Sequence, residues 1–566
     1  MSGDNEKALG AEVDEHGEEF LKDEKWQKMG TRTFSERAAE QVEEMVGRVR
    51  SSIEGEDFLR VVWLSSALFF VVGGYWLLRS LKDPIMSGIS GVEYIPQAKI
   101  VSLFVVLALV VVYNKLLDIM PKHHLFYLMG GVYGCLFTIM GLMLMHPTIG
   151  LPNTTPSPDR LLGWVSYCTI ESFGSMVVQA YWALVNASVD VHFAKRNFGY
   201  IIAGAQIGSI LGPTIATRAD VLGVPTLYLG GATCMFCIIG VMYLYIQKYG
   251  IPDAEDAKAA EAQERAAKEQ AEAVESHGLK KATVMPAEKE KKKGGMWEGF
   301  TLIYRHDFVK GIFFISSLFM VNVTVIDYMM KLLAKERYEQ MYPDDPQAAT
   351  RAFASFMGYF GQTTNSISFL FSLFGTGVVI KELGFTKTLI AFPTLLLVCT
   401  VTLWCMPTIW CVFVVMMIIK GMSYALNNPT KEILYQATSS SIKFKCKSWI
   451  DTFGQRSAKA GGSLVTNAFA TSLSDLNNYG TMIGVVLSVF LIWVSKEMGS
   501  KFEELQAEGV KVGEEEDEAA QYALDTLAES QQQLPSSEDA AADQDTSCLE
   551  DGDKPAKSRQ NKEVVL

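Results

Sequence analysis

Apolar and polar residues are strongly segregated along the chain. Apolar runs alternate with polar connections, and each run has about 20 residues, the length that a helix needs to cross a hydrocarbon core of about 30 Å. The pattern predicts an all-α membrane protein with two groups of six spans. These twelve predicted transmembrane helices lie at residues 61–81, 99–118, 124–145, 161–187, 197–217 and 224–246, then at 307–330, 353–379, 385–406, 409–427, 449–474 and 479–497.

Polar stretches before, between and after these runs divide the chain into five parts. The stretch between the two groups is rich in Ala, Glu, Gln and Lys, which is typical of a partly helical linker. The acidic C-terminal stretch has few large apolar residues and is expected to be disordered. This layout is typical of two bundles that are related by a pseudo-two-fold axis and rock around a central site. We predict a hydrophilic segment at 1–58, a six-helix bundle at 59–248, a linker at 249–300, a second six-helix bundle at 301–500 and a tail at 501–566.

Small residues predict where helices approach each other closely. Gly204, Gly208 and Gly212 recur every four residues in the fifth span, and Gly461 and Gly462 occupy a comparable place in the eleventh. Small residues at such spacing let helix backbones come together. We expect these glycines to have a packing role and no direct chemical role.

Basic residues in the short loops predict the orientation, because Lys and Arg are retained on the cytoplasmic side during insertion. They concentrate in the loops after the second, fourth, eighth and tenth spans, so both termini are expected to be cytoplasmic. The loop at 146–160 has a single base and contains Asn153-Thr154-Thr155, a glycosylation acceptor if that loop faces a lumen. The first 20 residues do not resemble a transit peptide, so the sequence does not support a plastid address. An endomembrane or the plasma membrane is then the alternative location.

Composition changes this picture little. Hydrophobic residues make up 49% of the chain, and the mean hydropathy is +0.16 although both ends are polar. The formal net charge of −13 comes largely from the two ends and says little about a substrate. Nine cysteines lie mostly inside apolar runs, where they are expected to behave as small apolar side chains.

Ionisable residues inside the predicted spans are the candidates for a functional site. Such a residue costs about 2.5 to 3.5 kcal/mol near the centre of a span, so it usually faces a partner or a water-filled cavity. Glu171 lies well inside the fourth span, and Arg79 and Lys82 end the first span three residues apart on one helix face. For these two bases, snorkelling to the membrane interface is an equally good interpretation by position alone.

The second group of spans carries a matching set of charges. Asp327 and Lys331 are four residues apart in the seventh span and can pair with each other, while Arg456 and Lys459 lie three apart in the eleventh. Each half therefore supplies bases and a carboxylate to the region where a midplane site would form. Such a site suits a polyanion, whereas a sugar or a hydrophobic drug would not require it.

No motif for covalent chemistry accompanies these charges. The chain lacks a G-x-x-x-x-G-K-[ST] phosphate loop, a His/Cys metal set and a Gly-x-Ser-x-Gly elbow. We therefore predict a carrier rather than an enzyme, with no cofactor and no nucleic-acid partner. Its expected partners are a small anionic substrate and membrane lipid, and its expected transport unit is a monomer.

Four blocks of sequence resemble the nucleotide transporter family, the ATP/ADP translocases of plastids and obligate intracellular bacteria. The blocks occur in the family's order over roughly residues 55 to 505, and that order is far more specific than any single block. They are Leu78-Arg-Ser-Leu-Lys-Asp-Pro-Ile-Met86 with Ile95-Pro96, Glu171-Ser-Phe-Gly-Ser175 with Trp182, Asn186 and Ala194-Lys-Arg196, Asn428-Pro-Thr-Lys-Glu432, and Gly454 to Gly462.

The resemblance implies a major-facilitator-like fold and ATP/ADP exchange by alternating access. By the same resemblance, Lys82, Glu171, Asp327 and Lys459 fall on four charged positions that family members need for nucleotide transport. The lysines are expected to bind phosphates, and the carboxylates to pair with those lysines while the site is empty. The candidate substrate-binding residues are Lys82, Arg79, Glu171, Asn186, Asp327, Lys331, Arg456 and Lys459.

Two other functions remain open at this stage. A proton-coupled symporter of a nucleotide or another organic anion would use the same fold, with Glu171 or Asp327 as the proton site. A membrane scaffold or receptor that has lost transport would instead act through its linker and acidic tail.

Overall fold

The computed structural model describes residues 56–189, 191–250, 298–374, 376–470 and 472–514, and these residues are helical almost throughout. Most of the predicted N-terminal segment, linker and tail lies outside the described residues.

Six long helices make up the first half, one for each predicted span. The first runs well past the predicted end at 81 and continues through Pro84, whose missing N–H costs the helix one backbone hydrogen bond. It therefore carries Lys82 and Asp83 inside a continuous helix rather than at its end. The six helices are α1 (Glu56–Ile89), α2 (Ile95–Ile119), α3 (Lys122–Met143), α4 (Leu161–Ser188), α5 (Val191–Ala216) and α6 (Val224–Tyr249).

The second half repeats this plan with more interruptions. Its last three helical units each contain a five-residue π-helical segment, a local widening that is common at functional sites. The units are α7 (Asp307–Met341, with a break at Leu318), α8 (Pro346–Phe374), α9 (Phe385–Cys405), α10 (Ile409–Met422, continued by Ser423–Asn427 and Asn428–Leu434), α11 (Ser440–Trp449, Ile450–Gly454 and Gln455–Ala468) and α12 (Leu473–Asp475, Leu476–Gly480 and Thr481–Glu508).

Nine helices within the described ranges are long and apolar enough to cross a membrane: α1 to α7, α9 and α12. The first part of α10, Ile409–Met422, is apolar but shorter. The prediction of an all-α, multi-pass membrane protein is confirmed, and the count of twelve spans stays a prediction.

The two halves pack against each other at one end of the molecule. We call the end that bears Gly250 and Glu298 the linker face and the opposite end the distal face. One apolar cluster mixes residues of both halves, including Met86 and Ile95 of the first and Tyr328 of the second. Near the distal face, Gln97 also donates a hydrogen bond of 3.2 Å to Asn467.

At the linker face, the corresponding apolar cluster draws its buried members from the second half alone. It includes Phe308, Tyr435 and Phe502. The halves are therefore joined through their distal portions.

Helices α1 and α5 approach backbone to backbone, as the glycine spacing predicted. A Cβ at Gly208 would lie 3.0 Å from the backbone N of Gly73, and one at Gly212 would lie 3.0 Å from the backbone N of Leu77. Gly462 is equally confined against Val321 and Thr324, whereas Gly461 faces open space. Gly204 is likewise confined, since a Cβ there would lie 2.6 Å from the backbone O of Ser65 in α1. The packing prediction is therefore confirmed for Gly204, Gly208, Gly212 and Gly462.

Replacing Gly212 by Leu is expected to destabilise the first bundle, because backbone atoms of α1 cannot move aside as a flexible side chain can. Overpacking of this kind costs about 1 to 3 kcal/mol, which corresponds to a fall of roughly 3 to 10 °C in the apparent melting temperature. Thermal unfolding of the detergent-purified protein measures it. Gly240→Leu is the matched control, since nothing lies within 4 Å of a Cβ at that position; equal melting temperatures for both variants would contradict the close approach.

Candidate substrate site

A cavity of about 330 Å³ lies between the two halves and is lined by α1, α2 and α4 from the first and by α7, α8, α10 and α11 from the second. Its lining contains seven basic and four acidic side chains, an excess of three positive charges. The bases are Arg79, Lys82, Lys99, Lys331, Lys420, Arg456 and Lys459, and the acids are Asp83, Glu171, Asp327 and Asp451.

On the first half, the predicted pairing of Glu171 with Lys82 is present. The Lys82 ammonium donates to Glu171 and lies 4.2 Å from the centre of the Tyr167 ring. Arg79 approaches the same carboxylate at 3.7 Å and donates a 2.7 Å hydrogen bond to the Tyr75 hydroxyl. Lys82 is buried, so its charge depends on Glu171, and snorkelling to the interface is not how this base is accommodated.

On the second half, Asp327 contacts three lysines at once. Lys331, one turn along α7, lies 2.7 Å away, Lys99 of α2 lies 3.0 Å away and Lys420 of α10 lies 3.1 Å away. The expectation that Asp327 pairs with Lys82 or Lys459 was therefore wrong. Three closer ammonium groups already surround this carboxylate.

Two ion pairs in this region cross between the halves. Asp83 of α1 is 3.0 Å from Lys331 of α7, and Lys99 of α2 is 3.0 Å from Asp327 of α7. Each half thus gives one acid and one base to the other. The local pairing of Asp327 with Lys331 is also present, so Lys331 holds two carboxylates.

The bases of α11 face the cavity without such compensation. Arg456 donates to the Ser175 hydroxyl of α4, and Lys459 is exposed in the cavity wall. Among the described residues, neither base forms an ion pair with a carboxylate. Lys82 and Lys459, from opposite halves, line the same chamber.

Exposure within the site increases from the distal end toward the linker face. The side chain of Lys331 is 2% exposed and that of Lys82 is 4% exposed, against 24% for Glu171 and 34% for Asp451. Because the halves are joined distally, this gradient shows that the cavity opens toward the linker face.

The model of the family described as TLC ATP/ADP transporter matches residues 39–158 and 164–502. The chain belongs to the TLC ATP/ADP transporter family. The match covers every residue that lines the cavity of this TLC transporter.

Curated relatives are similar over most of their length. The ADP,ATP carrier protein 1 of Chlamydia muridarum is 23% identical, and the alignment covers 80% of this chain and 90% of that protein. The plastidic ATP/ADP-transporter of Solanum tuberosum is 22% identical, and the alignment covers 79% of this chain and 74% of that protein. Among solved structures, a bacterial homologue of the iron transporter ferroportin, in an inward-facing state, matches with a TM-score of 0.52 at 11% identity, covering 78% of this chain and 99% of that one. The last similarity concerns the fold alone.

One predicted site residue lies elsewhere in the TLC transporter. Asn186 is exposed two residues before the linker-face end of α4 and does not line the cavity. The other seven candidates all do.

Sequence reasoning missed Lys99, Lys420 and Asp83 as members of the site. Lys420 lies inside the predicted span 409–427, so the rule that identified Glu171 applies to it equally. Lys99 stands at the first residue of a predicted span, where a base is easily taken for an interfacial one. Within the described residues, no group of three or more His, Cys, Asp or Glu side chains is arranged to hold a metal ion.

Proposed function

We propose that this transporter exchanges ATP and ADP across a membrane, with the phosphates held between the two bundles. The excess of three positive charges in a cavity lined by both halves carries the proposal. A volume of about 330 Å³ falls within the range of about 300 to 1,000 Å³ that is usual for small-ligand sites. The names of the curated relatives, ADP,ATP carriers and a plastidic ATP/ADP-transporter, point to the same substrate class.

The bases are assigned by their place in the two halves. Lys82 and Arg79 of α1 and Arg456 and Lys459 of α11 would bind phosphate oxygens from opposite walls, because charge-assisted hydrogen bonds to phosphate are about twice as strong as neutral ones. A polyphosphate held by both walls draws the halves together at the open linker face. Closure there is the first step of alternating access.

Glu171 occupies the phosphate-binding position beside Lys82 while no nucleotide is bound. In the empty carrier it neutralises Lys82, which would otherwise be a buried, unpaired cation. An arriving phosphate replaces Glu171 as the partner of Lys82 and Arg79, so the buried base is never left unpaired. The released carboxylate is 24% exposed and can be hydrated in the cavity. Lys331, nearly inaccessible, acts through Asp327 as a positioning residue.

The setting of the site in the membrane is also part of the proposal. The positive charges of the short loops support a cytoplasmic linker face, and with it a cavity that opens to the cytoplasm. A single chain surrounded by lipid is the expected transport unit, since one chain contains both bundles and residues of both line the cavity.

Counterflow in proteoliposomes tests the proposal. The wild-type protein is expected to take up labelled ATP when ADP or ATP is inside. In Lys459→Met, the loss of one charge-assisted bond of about 1.5 to 3 kcal/mol should lower the exchange rate at subsaturating nucleotide roughly 10- to 100-fold.

Lys501→Met is the matched control, since Lys501 pairs with Glu497 on α12 away from the cavity and is expected to be silent. Unchanged exchange in Lys459→Met would refute the phosphate assignment. Uptake that needs no internal nucleotide but follows a proton gradient would favour symport instead.

A further inference from the structure

The arrangement around Asp327 resembles an anion site that is already occupied. Lys420 lies 3.1 Å from Oδ1 of this carboxylate, and Lys99 and Lys331 lie 3.0 and 2.7 Å from Oδ2. Three ammonium groups on two oxygens of one acid exceed what neutralising that acid requires. With Asp83 as the only other carboxylate ion-paired to these lysines in the described structure, the cluster has three bases for two acids.

All three lysines line the cavity, but only two of them are appreciably exposed to it. The side chains of Lys99 and Lys420 are 17% and 18% exposed, whereas that of Lys331 is 2% exposed and also binds Asp83. Lys99 and Lys420 therefore reach the chamber from opposite halves, with Asp327 between them. Lys331 contacts Asp327 from the more buried side.

We propose that Lys99 and Lys420 form a second anion subsite, which takes a terminal phosphate of the nucleotide, and that Asp327 occupies this subsite while the carrier is empty. The inference rests on the proposed function. It adds two substrate-binding residues and assigns different phosphate groups to different sets of bases. Lys82, Arg79, Arg456 and Lys459 hold one phosphate group, and Lys99 with Lys420 hold a further one, so that a nucleoside monophosphate fills only the first subsite.

Filling the second subsite also acts on the distal contact between the halves. A phosphate that binds Lys99 displaces Asp327 from it and breaks one of the two crossed ion pairs. The pair between Asp83 and Lys331 is then the remaining one. Di- and triphosphates therefore loosen the closed distal side, and a monophosphate does not.

Inhibition of labelled ATP exchange by unlabelled ATP, ADP and AMP tests the subsite in full-length protein reconstituted in proteoliposomes. In Lys420→Met and in Lys99→Met, the half-inhibitory concentrations of ATP and ADP are expected to rise about tenfold or more, while that of AMP stays within about twofold of wild type. Lys420→Arg should retain most of the affinity, and it separates loss of charge from loss of fold.

Asp327→Asn removes the competing carboxylate and gives a prediction of opposite sign. The half-inhibitory concentration of ATP should fall several-fold, because no carboxylate competes with the phosphate for Lys99 and Lys420. The maximal exchange rate should fall too, because no carboxylate replaces the phosphate when the nucleotide leaves. A purely structural role of Asp327 would weaken binding instead. Lys335→Met is the matched control: Lys335 lies one turn beyond Lys331, pairs with Glu339 and does not line the candidate substrate cavity.

The outcomes are distinguishable. Absence of nucleotide exchange in the wild-type protein would reject the proposed function itself. Wild-type exchange with equal loss of ATP and AMP inhibition in both lysine variants, or with no loss of either, would overturn the second subsite and leave the proposed function standing.

Discussion

Replacing Lys82 by Met is expected to lower nucleotide exchange about 100-fold or more, the largest effect that we predict for one residue. The substitution removes a phosphate ligand and also leaves Glu171 without its direct partner, with Arg79 at 3.7 Å as the remaining cation. Breaking one side of a buried pair costs about 3 to 5 kcal/mol. Exchange by reconstituted protein, normalised to the amount of folded carrier, measures the functional part.

A double substitution separates the two contributions. The single variant Lys82→Met should have a lower melting temperature than the wild type, because Glu171 has lost its partner. In Lys82→Met with Glu171→Gln the unpaired carboxylate is gone, so the melting temperature should be close to that of the wild type while exchange stays low. Lys82→Arg keeps a cation at the site and should retain part of the activity. Full exchange in the double variant would show that Lys82 serves the fold alone.

Replacing Lys331 by Met is expected to cause the largest loss of stability. It leaves Asp83, whose side chain is 5% exposed, as a buried unpaired acid in the contact between the halves. The free energy of unfolding is expected to fall by about 3 to 5 kcal/mol. This corresponds to a fall of about 10 °C in the apparent melting temperature. Adding Asp83→Asn should recover most of that loss, because the pair is then removed from both sides.

The same substitutions are expected to loosen the distal side. Thr350 lies against Gly88 there, where a Cβ on the glycine would be 3.3 Å from the threonine hydroxyl oxygen. A cysteine introduced by Thr350→Cys should react faster with a membrane-impermeant maleimide in the Lys331→Met, Asp83→Asn background than in the wild-type background. Equal labelling rates would show that the ion pair does not hold the halves together.

The sequence by itself determined the membrane fold and most members of the site. Apolar runs of spanning length predict helices whatever their neighbours are, because a bilayer leaves the backbone no other partner. Glycines at every fourth position marked the backbone contact between α1 and α5. Charges inside spans marked Glu171, Asp327 and Lys459, because lipid makes such charges too costly without a cavity or a partner.

Only the tertiary structure decided which bases of other helices meet Asp327 and Asp83, and on which side the cavity opens. Lys99 and Lys420 are far from Asp327 in sequence, and the pairing of Asp83 with Lys331 depends on how the two halves are docked. The π-helical segments of α10 to α12 likewise leave no signal in an apolar pattern. The interaction energy of two charges falls as the distance between them grows. For residues on different helices, that distance is set by helix packing and not by spacing along the chain.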